Sequence, residues 1–102
     1  MMVLKMMRIL VVDNNVELCS ILAEFFDSQS DMETAGVAYD GEEALVKLAE
    51  LQPDVMILDI TMPHLDGIGV LERMAAMQLS HRPRIIVLTA FSRDELLSRL
   101  TE

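Results

Sequence analysis

A chain of 102 residues has room for one small domain with a single core, and not for a second. Its 52% apolar content excludes a disordered chain, and no apolar run approaches the length of a membrane span. A net charge of −9, with Lys5 and Lys47 as the only ammonium side chains, argues against direct nucleic-acid binding and favours basic partner proteins or a divalent cation.

Residues 1–7 are too short for a signal peptide, lack a small-residue cleavage site and read as a lead-in to the first strand. The single Cys19 cannot form an intrachain disulfide, which points to the cytoplasm, and its place in a helical apolar pattern assigns it to the core. The run Ile9-Leu10-Val11-Val12 predicts a strand that ends at Asp13. Asn14 or Asn15 then caps a helix whose inward positions are Leu18, Ile21, Leu22, Phe25 and Phe26. A weaker strand follows from Met32 to Ala38, interrupted by Gly36. Asp40-Gly41-Glu42-Glu43 is a capping signal for a second helix with Ala44, Leu45, Leu48 and Leu51 inward.

After Pro53, the apolar run Val55-Met56-Ile57-Leu58 predicts a strand buried on both faces and ending at Asp59. Asp66-Gly67 opens a third helix to about Met77, with Val70, Leu71 and Met74 inward. Beyond Pro83, Ile85-Ile86-Val87-Leu88 predicts a fourth strand ending at Thr89, and Ser92-x-x-Glu95 caps a last helix with Leu96, Leu97 and Leu100. The order βαβαβαβα implies an α/β fold with a parallel sheet and right-handed crossovers. The nine methionines fall mostly at apolar-pattern positions and read as flexible core filling.

Three strand ends thus present two acids and a hydroxyl, Asp13, Asp59 and Thr89, at the rim where open α/β sheets bind ligands. An aspartate after a strand is often only the N-cap of the next helix. Asp59 escapes that reading best, because Pro63 and Gly67 impose a turn before any helix begins.

The motifs Val12-Asp13, Asp59-x-Thr61-Met62-Pro63-x-x-Asp66-Gly67 and Leu88-Thr89-Ala90 resemble the receiver domains of bacterial two-component response regulators, the CheY-like family. The likeness runs from Met7 to the last helix. The wording GVAYDGEEAL, LDITMPHLDG and LTAF is most similar to the receiver of the sporulation master regulator of endospore formers. The resemblance implies a doubly wound, flavodoxin/CheY-like sheet of order 2-1-3-4. It also implies one receiver domain over residues 1–102, truncated so that the usual fifth strand and helix are lacking.

The function implied is that of a phosphoacceptor, not an enzyme. Asp59 would take a phosphoryl group from the phosphohistidine of a histidine kinase or phosphotransferase, to regulate transcription in a sporulation-type response. Asp13, Asp59 and the Thr61 backbone carbonyl resemble the family's Mg²⁺ shell. The Thr89 hydroxyl, with the Ile60 and Ala90 backbone N–H groups, would hold the phosphoryl oxygens. Movement of Thr89 would then switch the region that follows strand four.

Two departures stand out. Asn14 replaces the second of the family's paired acids; it either offers a carbonyl oxygen to the metal or caps the first helix. No lysine follows Lys47, so the family's phosphoryl-pairing lysine is missing. Loss of the terminal elements would bare the fourth strand and favour a homodimer through it, the last helix or the first. A degenerate receiver serving as a dimerisation or docking module is the alternative function. A small Mg²⁺-dependent phosphohydrolase fits poorly, because haloacid-dehalogenase-type enzymes need an acid two residues after the nucleophile, where Thr61 stands.

Overall fold

The computed structural model of the protein describes residues 5–62 and 64–88. Over them the chain runs β1 (Met7–Val12), α1 (Val16–Asp27), β2 (Met32–Ala38), α2 (Gly41–Leu51), β3 (Val55–Asp59), α3 (Gly67–Ala76) and β4 (Arg84–Leu88). Every strand pair is parallel and the sheet order is β2-β1-β3-β4, the doubly wound CheY-like arrangement expected. Among the described residues there are four strands and three helices. The expected last helix with Leu96, Leu97 and Leu100 lies outside them.

Each helix begins where a short polar side chain meets its orphan N–H groups. Asn15 accepts from Leu18 N–H (3.0 Å), Asp40 from Glu43 N–H (2.8 Å) and Asp66 from Gly69 N–H (2.8 Å). The capping signal at α2 is nearly reciprocal, with the Glu43 carboxylate accepting from Tyr39 N–H at 3.5 Å, one residue before the cap. In β2 the register slips between Ile9 and Leu10, leaving Ala35 as an extra residue beside Gly36. A Cβ on Gly36 would stand 2.7 Å from Leu51 Cδ1, so the irregularity that weakens this strand's pattern is also a point of close helix packing.

The period-two alternation of β1 and β3 divides the core. Leu10, Val12, Met56 and Leu58 face α2 and α3, where they meet Ala44, Leu48, Val70 and Met74. Ile9, Val11, Val55 and Ile57 face α1, where they meet Cys19 and the partly buried Leu22 and Phe26. Among the described residues, α1 is the one helix on the second face. Ile21 and Phe25, expected inward, are 55% and 57% exposed. A single helix lying on a sheet contacts it along one stripe, here Cys19, Leu22 and Phe26. Ile21 and Phe25 each precede a stripe residue and so sit about 100° round the helix from it.

At the amino end of the sheet, Asp54 ties three strands together. Its carboxylate accepts from Arg8 N–H (2.8 Å) and meets His81 Nε2 (3.1 Å), and its backbone bonds Arg8 and Arg84. The Arg8 hydrogen bond holds the Asp54 carboxyl below its ordinary pKa, against the opposing effect of burial. A depressed carboxyl pKa stabilises the fold above the unfolded value, and that stability is lost as pH falls through the folded value. Asp54→Ala should therefore cost about 1–2 kcal/mol in urea unfolding at pH 7. The difference from wild type should shrink on acidification below the ordinary carboxylate pKa of about 3.9.

Candidate functional site

The register of the central strands builds the site. Val12 pairs with Leu58, so the residues that follow, Asp13 and Asp59, leave neighbouring parallel strands side by side. Asp13 follows Ile9 and Val11, and Asp59 follows Val55 and Ile57, at two-residue steps, so both carboxylates belong to the α1 side of the sheet. They are 6% and 8% exposed. Together with Asn14, Asn15, Leu18, Leu22, Thr61 and Leu88 they line a cavity of about 640 Å³ at the carboxyl rim.

Hydrogen bonds fix both acids. Asp13 N–H donates to Ala38 O at 3.0 Å, and Asp13 O accepts from the Cys19 thiol at 3.2 Å. Its Oδ1 accepts from Asn15 N–H at 2.8 Å. Asp59 Oδ1 accepts from Thr61 N–H at 3.2 Å. Burial raises the Asp59 carboxyl above its ordinary pKa, and the negative charge of Asp13 adds to the rise. The Cys19 thiol is likewise raised, first by burial and then by Asp13; it is a core side chain, as expected, and an unreactive one.

The sequence left the role of Asn14 open between cap and ligand. The structure gives the cap to Asn15, while the exposed Asn14 lines the cavity. The Ile60 N–H, expected near a phosphoryl group, makes a long bond of 3.4 Å to Leu88 O. Thr89 and Ala90 lie outside the described residues. The apolar wall formed by Leu18, Leu22 and Leu88 is the part of the site that sequence reasoning missed. A helical core pattern gives no sign of which of its members border a cavity.

The loop between Asp59 and α3 is held by close packing. Gly67 N–H donates to Ile60 O at 2.8 Å, and a Cβ on Gly67 would stand 2.5 Å from Asp59 O. His64 adopts a left-handed backbone, φ 67°, in the same loop. Leu65 presses on the start of α2, since a Cβ on Gly41 would lie 2.3 Å from Leu65 O.

The chain belongs to the response regulator receiver domain family, whose pattern matches residues 9–102. Receiver domains are phosphoacceptors of two-component systems and not turnover enzymes. Among solved structures, the chain is similar to the response regulator domain of Thermotoga maritima CheB, with 34% identity and a TM-score of 0.80, covering 93% of this chain and 69% of that one. It also resembles a chain of the CheX-CheY-BeF3-Mg complex of Borrelia burgdorferi, with 31% identity and a TM-score of 0.74, covering 89% and 67%. A third likeness is to the complex of the CheA3 P1 domain with CheY6 from R. sphaeroides, with 28% identity and a TM-score of 0.71, covering 88% and 68%.

Two stability effects follow from this geometry. A carboxyl pKa raised by folding contributes stability that is full below the unfolded pKa and lost as pH rises through the folded value. Asp59→Asn should therefore raise the melting temperature at pH 7 in cation-free buffer, by about 4–8 °C per kcal/mol of relief, and the gain should vanish near pH 3 in pH-dependent melting curves. Gly67→Ala should lower stability by about 1–3 kcal/mol in denaturant titration, because its Cβ meets backbone rather than a movable side chain.

Proposed function

We propose that this receiver takes a phosphoryl group from phosphohistidine onto Asp59. The observation that carries the reading is the pairing of two buried carboxylates at adjacent parallel strand ends, bordering one cavity. An Asp59 oxygen attacks the phosphorus, the P–N bond to the donor imidazole breaks, and an acyl phosphate forms. Asp13 O is held by Cys19 and its Oδ1 by Asn15, which keeps its carboxylate beside the nucleophile. The Thr89 hydroxyl and the Ile60 and Ala90 N–H groups are assigned to the phosphoryl oxygens. The donor is a histidine kinase or phosphotransferase, consistent with the CheA3 P1 domain bound to CheY6 in a similar structure.

The donor set suits a hard divalent cation. Asp13 and Asp59 are both buried and repel each other, and the polar atoms facing the cavity include carboxylate and amide oxygens. Mg²⁺ accompanies BeF3 in the similar Borrelia complex. Asp13, Asp59 and the Thr61 carbonyl would hold it, and when bound it would supply positive charge against the transferring phosphoryl group. The cavity lining contains no Lys, Arg or His among the described residues, so this charge has no side-chain substitute there. The wording shared with sporulation regulators supports a transcriptional output of that type, exerted through a partner domain and not through nucleic-acid contacts of this acidic chain.

Acetyl phosphate with Mg²⁺ should add one phosphoryl mass to the wild type, seen by intact mass spectrometry, and none to Asp59→Asn. A label that persists in Asp59→Asn would place the acceptor elsewhere.

A second reading, a dimerisation or docking module, is favoured by a specific observation. Among the described residues β4 pairs on one side only, with β3, and its Ile86 and Val87 are 51% and 44% exposed. With Ile21 and Phe25 of α1 they offer apolar surface for a two-fold homodimer. Light scattering after size exclusion should give a dimer mass at tens of micromolar, shifting toward monomer in Ile86→Lys. A wild-type monomer at that concentration would remove this reading and leave the phosphoacceptor reading intact.

A further inference from the structure

Among the described residues β4 pairs with β3 alone, and its main chain shows which groups the other edge offers. Arg84 N–H donates to Asp54 O at 3.0 Å, and Leu88 O accepts from Ile60 N–H at 3.4 Å. Residues 84, 86 and 88 therefore turn their main-chain groups toward β3, and the period of two leaves those of Ile85 and Val87 on the open edge. The side chains follow the same parity. Arg84 stands opposite Val55, Ile86 opposite Ile57 and Leu88 opposite Asp59, so all three belong to the α1 side of the sheet, as do both acids. Leu88 also lines the cavity, while the exposed Arg84 lies at the far end of the strand.

We propose that a second copy of this chain pairs its β4 antiparallel to this one about Ile86, and that the partner's Arg84 supplies the cationic side chain at the phosphoryl site; the inference rests on the phosphoacceptor and dimer readings above. A two-fold axis at Ile86 sets Ile85 opposite the partner's Val87, and the two exchange main-chain hydrogen bonds. Every open-edge donor and acceptor of β4 is then satisfied on both copies. Sliding the pair toward the amino end would set Val87 opposite the partner's Pro83, which has no N–H to give. The favoured register puts the partner's Arg84 directly opposite Leu88, in the non-hydrogen-bonded kind of pair whose Cα atoms stand about 4.5 Å apart. An axis perpendicular to the sheet keeps the α1 faces of both copies on one side, so this guanidinium lies on the side of Asp13 and Asp59. It is two strand spacings from Asp59, about 10 Å between Cα atoms. The arginine and aspartate side chains span that gap with a phosphoryl group between them, and a guanidinium can pair two of its oxygens at once. β4 itself carries no acid, so the contact avoids the repulsion expected of a chain of net charge −9. Each copy brings a cation to the other's buried carboxylates, a complementary contact made twice by symmetry.

The test mixes variants of the whole chain and reads Asp59 labelling by acetyl phosphate with Mg²⁺, after light scattering has established the mass of each. Arg84→Ala should label about tenfold or more slowly than wild type, and Arg84→Lys should keep most of the rate. Asp59→Asn cannot be labelled there but still carries Arg84. An excess of Asp59→Asn added to Arg84→Ala should therefore return the Arg84→Ala subunits to near the wild-type rate. An excess of the double variant Asp59→Asn/Arg84→Ala should not. Wild-type labelling in Arg84→Ala would overturn the role of Arg84. Slow labelling that excess Asp59→Asn leaves unchanged would overturn the exchange between copies. A wild-type monomer would defeat the proposal and leave the phosphoacceptor reading intact, whereas a wild type that takes no label would remove that reading itself.

Discussion

Everything at the carboxyl rim depends on one constraint, the parallel register of β1 against β3. With Val12 opposite Leu58, two aspartates must emerge side by side. Parallel strands buried on both faces specify that register strongly, because a slip of one residue would turn each strand's apolar set to the wrong face. The four pairs from Ile9↔Val55 to Val12↔Leu58 involve eight buried apolar side chains. Their packing energy holds together two carboxylates that repel each other. The fold thus stores an unfavourable charge arrangement at its carboxyl rim.

The same tension explains the density of backbone contacts around the acids. Asp13 is fixed through its N–H, its carbonyl and one carboxylate oxygen, by three different elements: β2, α1 and the turn between β1 and α1. Asp59 is fixed by Thr61 N–H, and the following loop is locked where Gly67 packs on Asp59 O. A side chain with so few remaining degrees of freedom spends little entropy on reaching a reactive geometry.

How much of this could be read in the sequence follows from the kind of signal each feature leaves. β3 was legible because a strand buried on both faces is an unbroken apolar run, Val55-Met56-Ile57-Leu58, closed by a proline before and a turn after. α2 and α3 were legible from Asp40 and Asp66, whose capping geometry needs only local spacing. The burial of α1 was not legible. Helical periodicity marks Ile21 and Phe25 as apolar positions, but whether they are covered depends on what else lies on that face of the sheet. The choice between Asn14 and Asn15 as cap was also undetermined, since both satisfy the composition rule. It was decided by Asp13, whose carboxylate binds Asn15 N–H and so sets where the helix begins.

Among the described residues, the two faces of the sheet are covered unequally, by α1 on one side and by α2 and α3 on the other. The acids lie on the α1 side, where the cavity wall is Leu18, Leu22 and Leu88. Apolar walls lower the local dielectric and strengthen every charge interaction within, repulsion between Asp13 and Asp59 included. On the opposite face, Ala44, Leu48, Val70 and Met74 of α2 and α3 pack against the sheet. A site so placed is sensitive to each unit of charge.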